Sequence, residues 1–247
     1  MSTALSTLER FAAKQASTHE VMRALASHPD YFVPIGFAPL LHRNEFERIV
    51  MLSEKGGPPQ RELYVFTDEA CLDLVSKQPL GSFVTPVSGI ELFCALEDQL
   101  GKLKVNPGGK LEHFWFMGGD AIGLARLWGR AVRLETLLAN PARSKEGLHA
   151  ALRTFEAYTI MALPNGAVAT AVGLGGFQNP AMVFTSPDSF ERVLTQAPQL
   201  QPRHLGAKEL FELLPRAGVD GIAFNPMGPG PAACFPLSLG VSVLQLS

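Results

Sequence analysis

The sequence has little cysteine and no cysteine pair at the spacing of a metal site or a redox motif. Its three cysteines, Cys71, Cys94 and Cys234, lie in apolar or helix-compatible surroundings, and C-x-x-C is absent. An odd number of scattered cysteines argues against a disulfide framework and is typical of reduced, buried thiols. We therefore expect a cytoplasmic protein.

An excess of one charge is also absent. The chain carries 21 Lys and Arg against 23 Asp and Glu, a formal net charge of -2. Such a balance creates no overall field that would attract a polyanion or an anionic lipid surface. We expect neither nucleic acid nor a membrane as a partner.

Long apolar helices are missing as well. Two stretches, 157–187 and 221–247, contain no charged residue, but turn-forming Gly, Pro and Asn interrupt both of them. Neither stretch predicts a membrane-spanning helix. At the N-terminus, Glu9 and Arg10 precede any apolar run long enough for a secretory signal, so export by that route is not expected. With 47% hydrophobic residues, the 247-residue chain can bury a substantial core.

The residue patterns of common catalytic and cofactor sites are not present. The six histidines are dispersed without H-x-x-x-H and without a neighbouring cysteine or acidic cluster. The glycine-rich segment 172–180, VGLGGFQNP, matches neither the dinucleotide fingerprint nor the P-loop, and the sequence after it predicts a strand rather than a helix. We predict no metal, no cofactor and no catalytic residue.

The most informative feature is internal repetition. VFTD at 65–68 matches VFTS at 183–186, and GIELFCAL at 89–96 matches AKELFELL at 207–214. At nearly the same shift, Asn106-Pro107 matches Asn225-Pro226. Three matches in one order predict two copies of one domain, residues 1–140 and 141–247, with the boundary at Asn140 and Pro141.

Helix starts are predicted at the same places in both copies. Asp68 and Ser186 follow apolar, β-prone runs, and an oxygen-bearing side chain there can accept a hydrogen bond from the first helical turn. Ser88 and Glu91 form a capping box, which Gly206 and Glu209 keep in weaker form. The helices that follow carry the apolar stripes Leu92, Phe93 and Leu96, and Leu210, Phe211 and Leu214.

Strands account for much of the remaining chain. Residues 158–163 and 167–173 predict a hairpin around Asn165-Gly166, and the first copy offers strands at 31–37, 47–52 and 62–67. KLKVN at 102–106 and GIAFN at 221–225 predict a later strand in each copy. The C-terminal FPLSLGVSVLQLS is interpreted as a closing strand whose exposed edge could support a homodimer.

These elements predict an α+β fold of two similar domains. Each domain has a mixed, mainly antiparallel sheet with packed helices, in the approximate order α-β-β-β-α-α-β. A long helix is expected over 119–139, beginning near Asp120.

The repeated pattern resembles the N-terminal domain of the SseB family, enhanced serine sensitivity protein B. An N-terminal strand, a hairpin, VFTD or VFTS opening a helix, a second amphipathic helix and a strand ending in Asn-Pro carry the resemblance, which covers most of both halves. It implies a bacterial cytoplasmic protein with links to type III secretion and no established catalytic mechanism. VNPGGK matches the family's Asn-Pro-Gly ending better than FNPMGP does.

Several residues are candidates for a ligand or interaction site, each with a structural alternative. Thr67 and Thr185 could be nucleophiles, but their position beside a predicted cap explains them without chemistry. Asn106 and Asn225, like Asp68 and Ser186, could line a cleft beyond the strand ends, although Asn-Pro also initiates turns.

The long helix offers a different kind of site. Arg126, Arg130 and Arg133 repeat at i, i+4 and i+7, which makes either a solvated basic face or a docking surface for an acidic partner with Trp128 as an anchor. The apolar face is predicted to contain Leu124, Leu127, Val132, Leu134 and Leu138.

Two functional hypotheses remain open. The first is a non-enzymatic interaction or regulatory protein with an unidentified protein partner. The second is a small-molecule binder or enzyme with its site in a cleft between the two copies, which requires Asp68, Asn106, Ser186 and Asn225 to converge.

Overall fold

The chain divides into two compact units, residues 1–132 and 133–247. This computed structural model describes residues 4–34, 61–68, 70–71, 84–96, 100–106, 115–140, 142, 144–228 and 232–245. The predicted strand at 47–52 lies outside the described residues. The division falls inside the long helix, a few residues before the boundary predicted at Asn140 and Pro141.

In its described residues, the first unit places two helices before its sheet and a third between strands. The elements are α1 (Ala4–Ala12), α2 (Thr18–Ala26), β1 (Tyr31–Pro34), β2 (Arg61–Val65), β3 (Val84–Val87), α3 (Gly89–Cys94), β4 (Leu100–Val105), β5 (Trp115–Met117) and the long helix α4 (Gly118–Ala139). The end of α4, from Arg133 on, belongs to the second unit.

The second unit continues with helices and strands in alternation. Its elements are α5 (Lys145–Thr154), β6 (Tyr158–Ala162), β7 (Ala181–Phe184), α6 (Pro187–Gln196), β8 (Gln201–Leu205), α7 (Ala207–Leu213) with a 3-10 turn at Leu214–Arg216, β9 (Gly221–Phe224), β10 (Ala233–Pro236) and α8 (Ser238–Gln245). Both units are mixtures of helices and mixed sheets, so the α+β class is confirmed.

The strands of the two units pair in corresponding ways. In the second unit the order is β10-β9-β7-β6-β8, with β7 and β9 parallel and the other pairs antiparallel. In the first unit β2 and β4 are parallel, β4 pairs with β5, and β1 pairs with β3. A bridge between Phe32 and Phe66 joins β1 to β2. Each unit therefore combines one parallel strand pair with several antiparallel pairs, and the five-stranded sheet of the second unit is mixed and mainly antiparallel.

Aromatic side chains hold the helices to the sheet in each unit. The Tyr31 ring stacks on the Phe93 ring, with 6.3 Å between the ring centroids. The Tyr31 hydroxyl donates to the Leu25 carbonyl at 2.9 Å. Tyr158 contacts Phe211 at 6.0 Å and donates to the Leu152 carbonyl at 2.6 Å. The apolar stripes predicted on α3 and α7 are buried as expected: Leu92, Phe93 and Leu96, and Leu210, Phe211 and Leu214.

The buried face of α4 changes along its length, and this corrects the predicted apolar face. The first turns bury Ile122, Ala125 and Trp128, whereas Leu124 is 43% exposed and Leu127 is half-buried. Val132, Leu134 and Leu138 are buried as predicted. A single apolar stripe is the wrong description because the two ends of the helix pack in different units.

The predicted closing strand is wrong over most of its length. Among the described residues of that segment, Phe235 and Pro236 lie in a strand and Ser238–Gln245 form α8. Gly240 and Val243, three residues apart, are buried, and Gly240 packs against the Phe211 ring. Packing of this face outweighs the β propensity of the segment. The short strand β10 still lies at one edge of the five-stranded sheet, so the homodimer through a C-terminal edge strand stays a prediction.

Other differences concern short strands. β3, which precedes α3, and β8, which lies between α6 and α7, are not predicted by the sequence. The predicted hairpin keeps its turn, where Gly166 has a φ of 83°. Its second arm is reduced to bridges at Val168 and Thr170. Within the described ranges, no helix combines the length and apolar character needed to cross a membrane.

Candidate functional site

In the first unit, Thr67 and Asn106 follow the ends of the parallel strands β2 and β4 and bind each other. The Thr67 backbone N–H donates to Asn106 Oδ1 at 2.8 Å, and Asn106 Nδ2 donates to Thr67 Oγ1 at 2.9 Å. Asn106 has a φ of 51°, a left-handed conformation that Asn tolerates better than most residues. The pair joins the two strand ends.

In the second unit, Thr185 and Asn225 form the same pair after β7 and β9. The Thr185 N–H donates to Asn225 Oδ1 at 2.9 Å, Asn225 Nδ2 donates to Thr185 Oγ1 at 2.8 Å, and Asn225 has a φ of 49°. All four residues are buried, with exposures between 2% and 9%. The side chains of these candidate ligand residues thus form hydrogen bonds with each other. This geometry fits the interpretation of Asn-Pro as a turn better than its interpretation as the lining of a ligand cleft.

Residues 70 and 71 are helical, and Asp68 accepts a hydrogen bond from the backbone of this turn, as predicted. Its Oδ1 accepts from the Cys71 N–H at 2.7 Å, and its Oδ2 accepts from the Thr67 hydroxyl at 3.2 Å and the Cys71 thiol at 3.5 Å. Burial raises the pKa of Asp68, but the hydrogen bonds from Cys71 and Thr67 outweigh it and hold the pKa below its ordinary value. The carboxylate is therefore engaged within the unit.

Cys71 and His28 complete the polar group around Thr67, and neither was a sequence candidate. Burial, together with the Asp68 carboxylate, raises the pKa of the Cys71 thiol to about 11. Cys71 is therefore a neutral thiol at neutral pH and a poor nucleophile. His28 Nε2 lies 3.0 Å from the Thr67 carbonyl oxygen, which can only accept, so Nε2 carries the proton.

The prediction for Ser186 is right in position but wrong in mechanism. Ser186 is the N-cap of α6, yet its side chain makes no capping hydrogen bond to the helix backbone. Its hydroxyl instead donates to Glu135 Oε1 at 3.0 Å and contacts Ser189 Oγ at 2.9 Å. Ser186 and Ser189 are almost fully buried.

Glu135 is a further residue that the sequence did not predict. From α4, its Oε1 accepts from Thr185 Oγ1 at 2.7 Å and from Asn225 Nδ2 at 3.4 Å, besides Ser186. Because Glu135 and Thr185 are 50 residues apart, no local motif links them. A carboxylate beside a hydroxyl is a general-base geometry, but Thr185 is only 3% exposed and its oxygen also accepts from Asn225. The arrangement favours a structural network.

The three arginines of α4 differ in their exposure to solvent. Arg126 is half-buried and donates to the Leu96 carbonyl at 3.3 Å, Arg130 is half-buried and Arg133 is exposed. The role of Trp128 as a docking anchor is wrong, because its side chain is 2% exposed. The Trp128 ring packs inside the first unit, with the Arg23 guanidinium 5.5 Å from its centroid.

The glycine-rich loop at 172–180 binds the Asp220 carboxylate of the same unit. The backbone N–H groups of Gln178 and Asn179 donate to Asp220 at 2.7 and 2.9 Å. Backbone donors that could face a phosphate are thus bound to a side chain, and β7 follows the loop as predicted. Among residues with described positions, no group of three or more His, Cys, Asp or Glu could hold a metal ion.

The chain matches no protein-family model, no curated protein and no solved structure.

Proposed function

We propose that the chain is a non-enzymatic interaction or regulatory protein of the bacterial cytoplasm, built from two SseB-like copies. Two observations support the duplication. The strand pairing corresponds between the units, and a Thr-Asn pair joins the ends of the parallel strands in each.

One observation carries the non-enzymatic part of the proposal. The candidate hydroxyl and amide groups at the described strand ends are buried and bound to neighbouring side chains, as in the network of Thr185, Asn225 and Glu135. A substrate would have to displace these hydrogen bonds before reaching Thr185. The same groups explain the strand ends and helix starts without a reaction.

The proposed docking surface is the arginine face of α4, defined by Arg126, Arg130 and Arg133. Glu135 lies nine residues after Arg126, about two and a half helical turns, and therefore on the opposite side of the helix. Guanidinium groups along one helix face suit carboxylates on a partner protein.

Affinity purification from an extract of the source organism tests this docking surface. The full chain and an R126E/R130E/R133E variant are used as baits, and captured proteins are quantified by mass spectrometry. We expect at least one protein to be captured by the wild type and lost by the variant, with capture decreasing as salt is raised.

A matched control is needed because charge reversal alters nonspecific binding. Lys145 and Arg192 are exposed residues on other helices, so K145E/R192E tests charge reversal away from α4. This control should retain the captured protein. Equal capture by the triple variant and the wild type would contradict the docking surface, provided that circular dichroism shows both to be folded.

A further inference from the structure

In both Thr-Asn pairs the threonine hydroxyl donates to a carboxylate, but the two carboxylates come from different parts of the chain. The Thr67 hydroxyl donates to Asp68, the next residue, at 3.2 Å. The Thr185 hydroxyl donates to Glu135, on α4, at 2.7 Å. The residue after Thr185 is Ser186, which has no charge. A carboxylate therefore accepts a hydrogen bond from the threonine hydroxyl in both units, although only in the first unit does it come from the residue after the threonine.

We infer that Glu135 is a latch that fastens the last turns of α4, residues 133–139, to the strand ends of the second unit. Three donors converge on its Oε1: Thr185 Oγ1 at 2.7 Å, Ser186 Oγ at 3.0 Å and Asn225 Nδ2 at 3.4 Å. Hydrogen bonds to an ionised acceptor are stronger than neutral ones. The latch works within the second unit and does not depend on the proposed function.

The helix start at Ser186 explains why a carboxylate is favoured at this point. In the first unit, the Asp68 carboxylate accepts one hydrogen bond from the Thr67 hydroxyl and another from the backbone N–H of Cys71, in the helical turn that follows. In the second unit, Ser186 makes no capping bond to α6 and donates to Glu135 instead. Glu135 thus supplies negative charge beside the N-terminus of α6, where the helix dipole favours it.

The hydrogen bonds of Glu135 add to apolar packing that holds the same segment. Leu134 and Leu138 on the same segment are 1% and 6% exposed, so the last turns of α4 are held by packing as well. Removing the Glu135 carboxylate should therefore loosen this segment locally before the unit unfolds. That local effect separates a latch from a residue that merely adds to overall stability.

The test moves the carboxylate from α4 back to the place that it has in the first unit. Four full-length variants are compared with the wild type: E135A, E135Q, S186D and E135A/S186D. We expect E135A to lower the melting temperature by roughly 5 °C and E135Q by less, since the amide keeps an acceptor but loses the charge.

Ser186→Asp should have opposite effects in the two backgrounds. In the wild type it places two carboxylates at one site and lowers the melting temperature, because like charges repel. In E135A it supplies the missing carboxylate and raises the melting temperature by more than half of the loss. A substitution that changes sign in this way is not expected if Glu135 contributes only general surface charge.

Hydrogen exchange measures how tightly the last turns of α4 are held. Backbone amides of residues 134–139 should exchange about tenfold faster in E135A than in the wild type under native conditions. R133A, which alters an exposed residue of the same helix, should leave this exchange unchanged. The inference is overturned if S186D lowers stability equally in both backgrounds, or if E135A and E135Q leave the exchange of this segment at the wild-type rate.

Discussion

Asn225 binds Thr185 through two hydrogen bonds, accepting from its backbone N–H at 2.9 Å and donating to its hydroxyl at 2.8 Å. The two residues end neighbouring parallel strands, and the same pair is formed by Asn106 and Thr67. At these positions the side chain of Asn completes the hydrogen bonding of a strand that has already ended, while its backbone turns into a left-handed conformation.

Substitution of either asparagine should separate these two contributions. N225A leaves the buried Thr185 N–H without its acceptor and places Ala at a positive φ, so we expect a loss of roughly 2–4 kcal/mol in the free energy of unfolding. N225G removes the same hydrogen bonds but tolerates the backbone, and should lose roughly 1–3 kcal/mol. Denaturant unfolding followed by circular dichroism measures both.

The corresponding variants N106A and N106G should rank in the same order. The only two tryptophans, Trp115 and Trp128, lie in the first unit, so fluorescence reports this unit selectively. Stability of N106A or N225A equal to that of the wild type would show that the pairs are not structural.

Three helical glycines predict a graded response to alanine. A Cβ at Gly129 would lie 2.6 Å from Phe93 Cβ and 2.9 Å from the Cys94 backbone nitrogen, which cannot move aside. A Cβ at Gly240 would meet only the Phe211 ring, at 2.8 Å, and a Cβ at Gly123 would meet nothing within 4 Å. Alanine gains roughly 1 kcal/mol of helix propensity, against overpacking costs of roughly 1–3 kcal/mol.

We therefore expect G129A to destabilise, G240A to be near neutral, and G123A to stabilise by up to about 1 kcal/mol. Thermal unfolding of the three variants gives the ranking. A more stable G129A would contradict the close packing of α4 on α3.

The reactivity of Cys71 should depend on Asp68. Because burial and the Asp68 carboxylate raise the Cys71 pKa to about 11, alkylation of this thiol should be slow at pH 8 and increase steeply toward pH 11. D68N removes the carboxylate, lowers the Cys71 pKa and should speed alkylation at pH 8. Peptide mass spectrometry follows Cys71, with Cys234 as an internal reference; an unchanged Cys71 rate in D68N would argue against the contact.

Asp68 should also make stability sensitive to acid. Its pKa is lower in the folded chain than its ordinary value of 3.8, so its contribution is complete above that value and is lost as pH falls through the folded pKa. The difference in unfolding free energy between the wild type and D68N should be constant from about pH 7 to 5 and shrink below about pH 4. A difference that persists unchanged at lower pH would contradict this linkage.

Local sequence patterns predict part of this fold because their causes are local. The capping box of Ser88 and Glu91 is confirmed: the Glu91 N–H donates to Ser88 Oγ at 3.2 Å, and the Ser88 N–H donates to the Glu91 carboxylate at 3.3 Å. Asp68 accepts a hydrogen bond from the helical turn that follows it for the same reason. Such features depend on residues three positions apart, so the sequence alone displays them.

Two kinds of element escape sequence patterns for physical reasons. β8 exposes Gln201, Pro202, Arg203 and His204, so no apolar alternation marks it, and a proline is tolerated there because an edge strand has unpaired backbone groups. α8 has apolar, β-branched residues that suit a strand, and tertiary packing decides for a helix.

The strand-end network of the second unit could be predicted only in part. Thr185 and Asn225 are visible as repeated motifs, and Ser186 is visible as a cap. Glu135 is not, because it reaches the network from another helix and no pattern in its own neighbourhood marks it. The sequence therefore identifies the right residues around Thr185 but not the carboxylate that binds them.

The most direct test of the structural role of these residues is native-state hydrogen exchange at the backbone amides of Thr67 and Thr185. Each N–H donates to an asparagine side chain in a buried position. We predict that both amides rank among the slowest to exchange and that N106G and N225G accelerate Thr67 and Thr185 respectively. Rapid exchange of both amides in the wild type would mean that the strand ends are open, and would contradict the conclusion that these residues form a scaffold rather than a site.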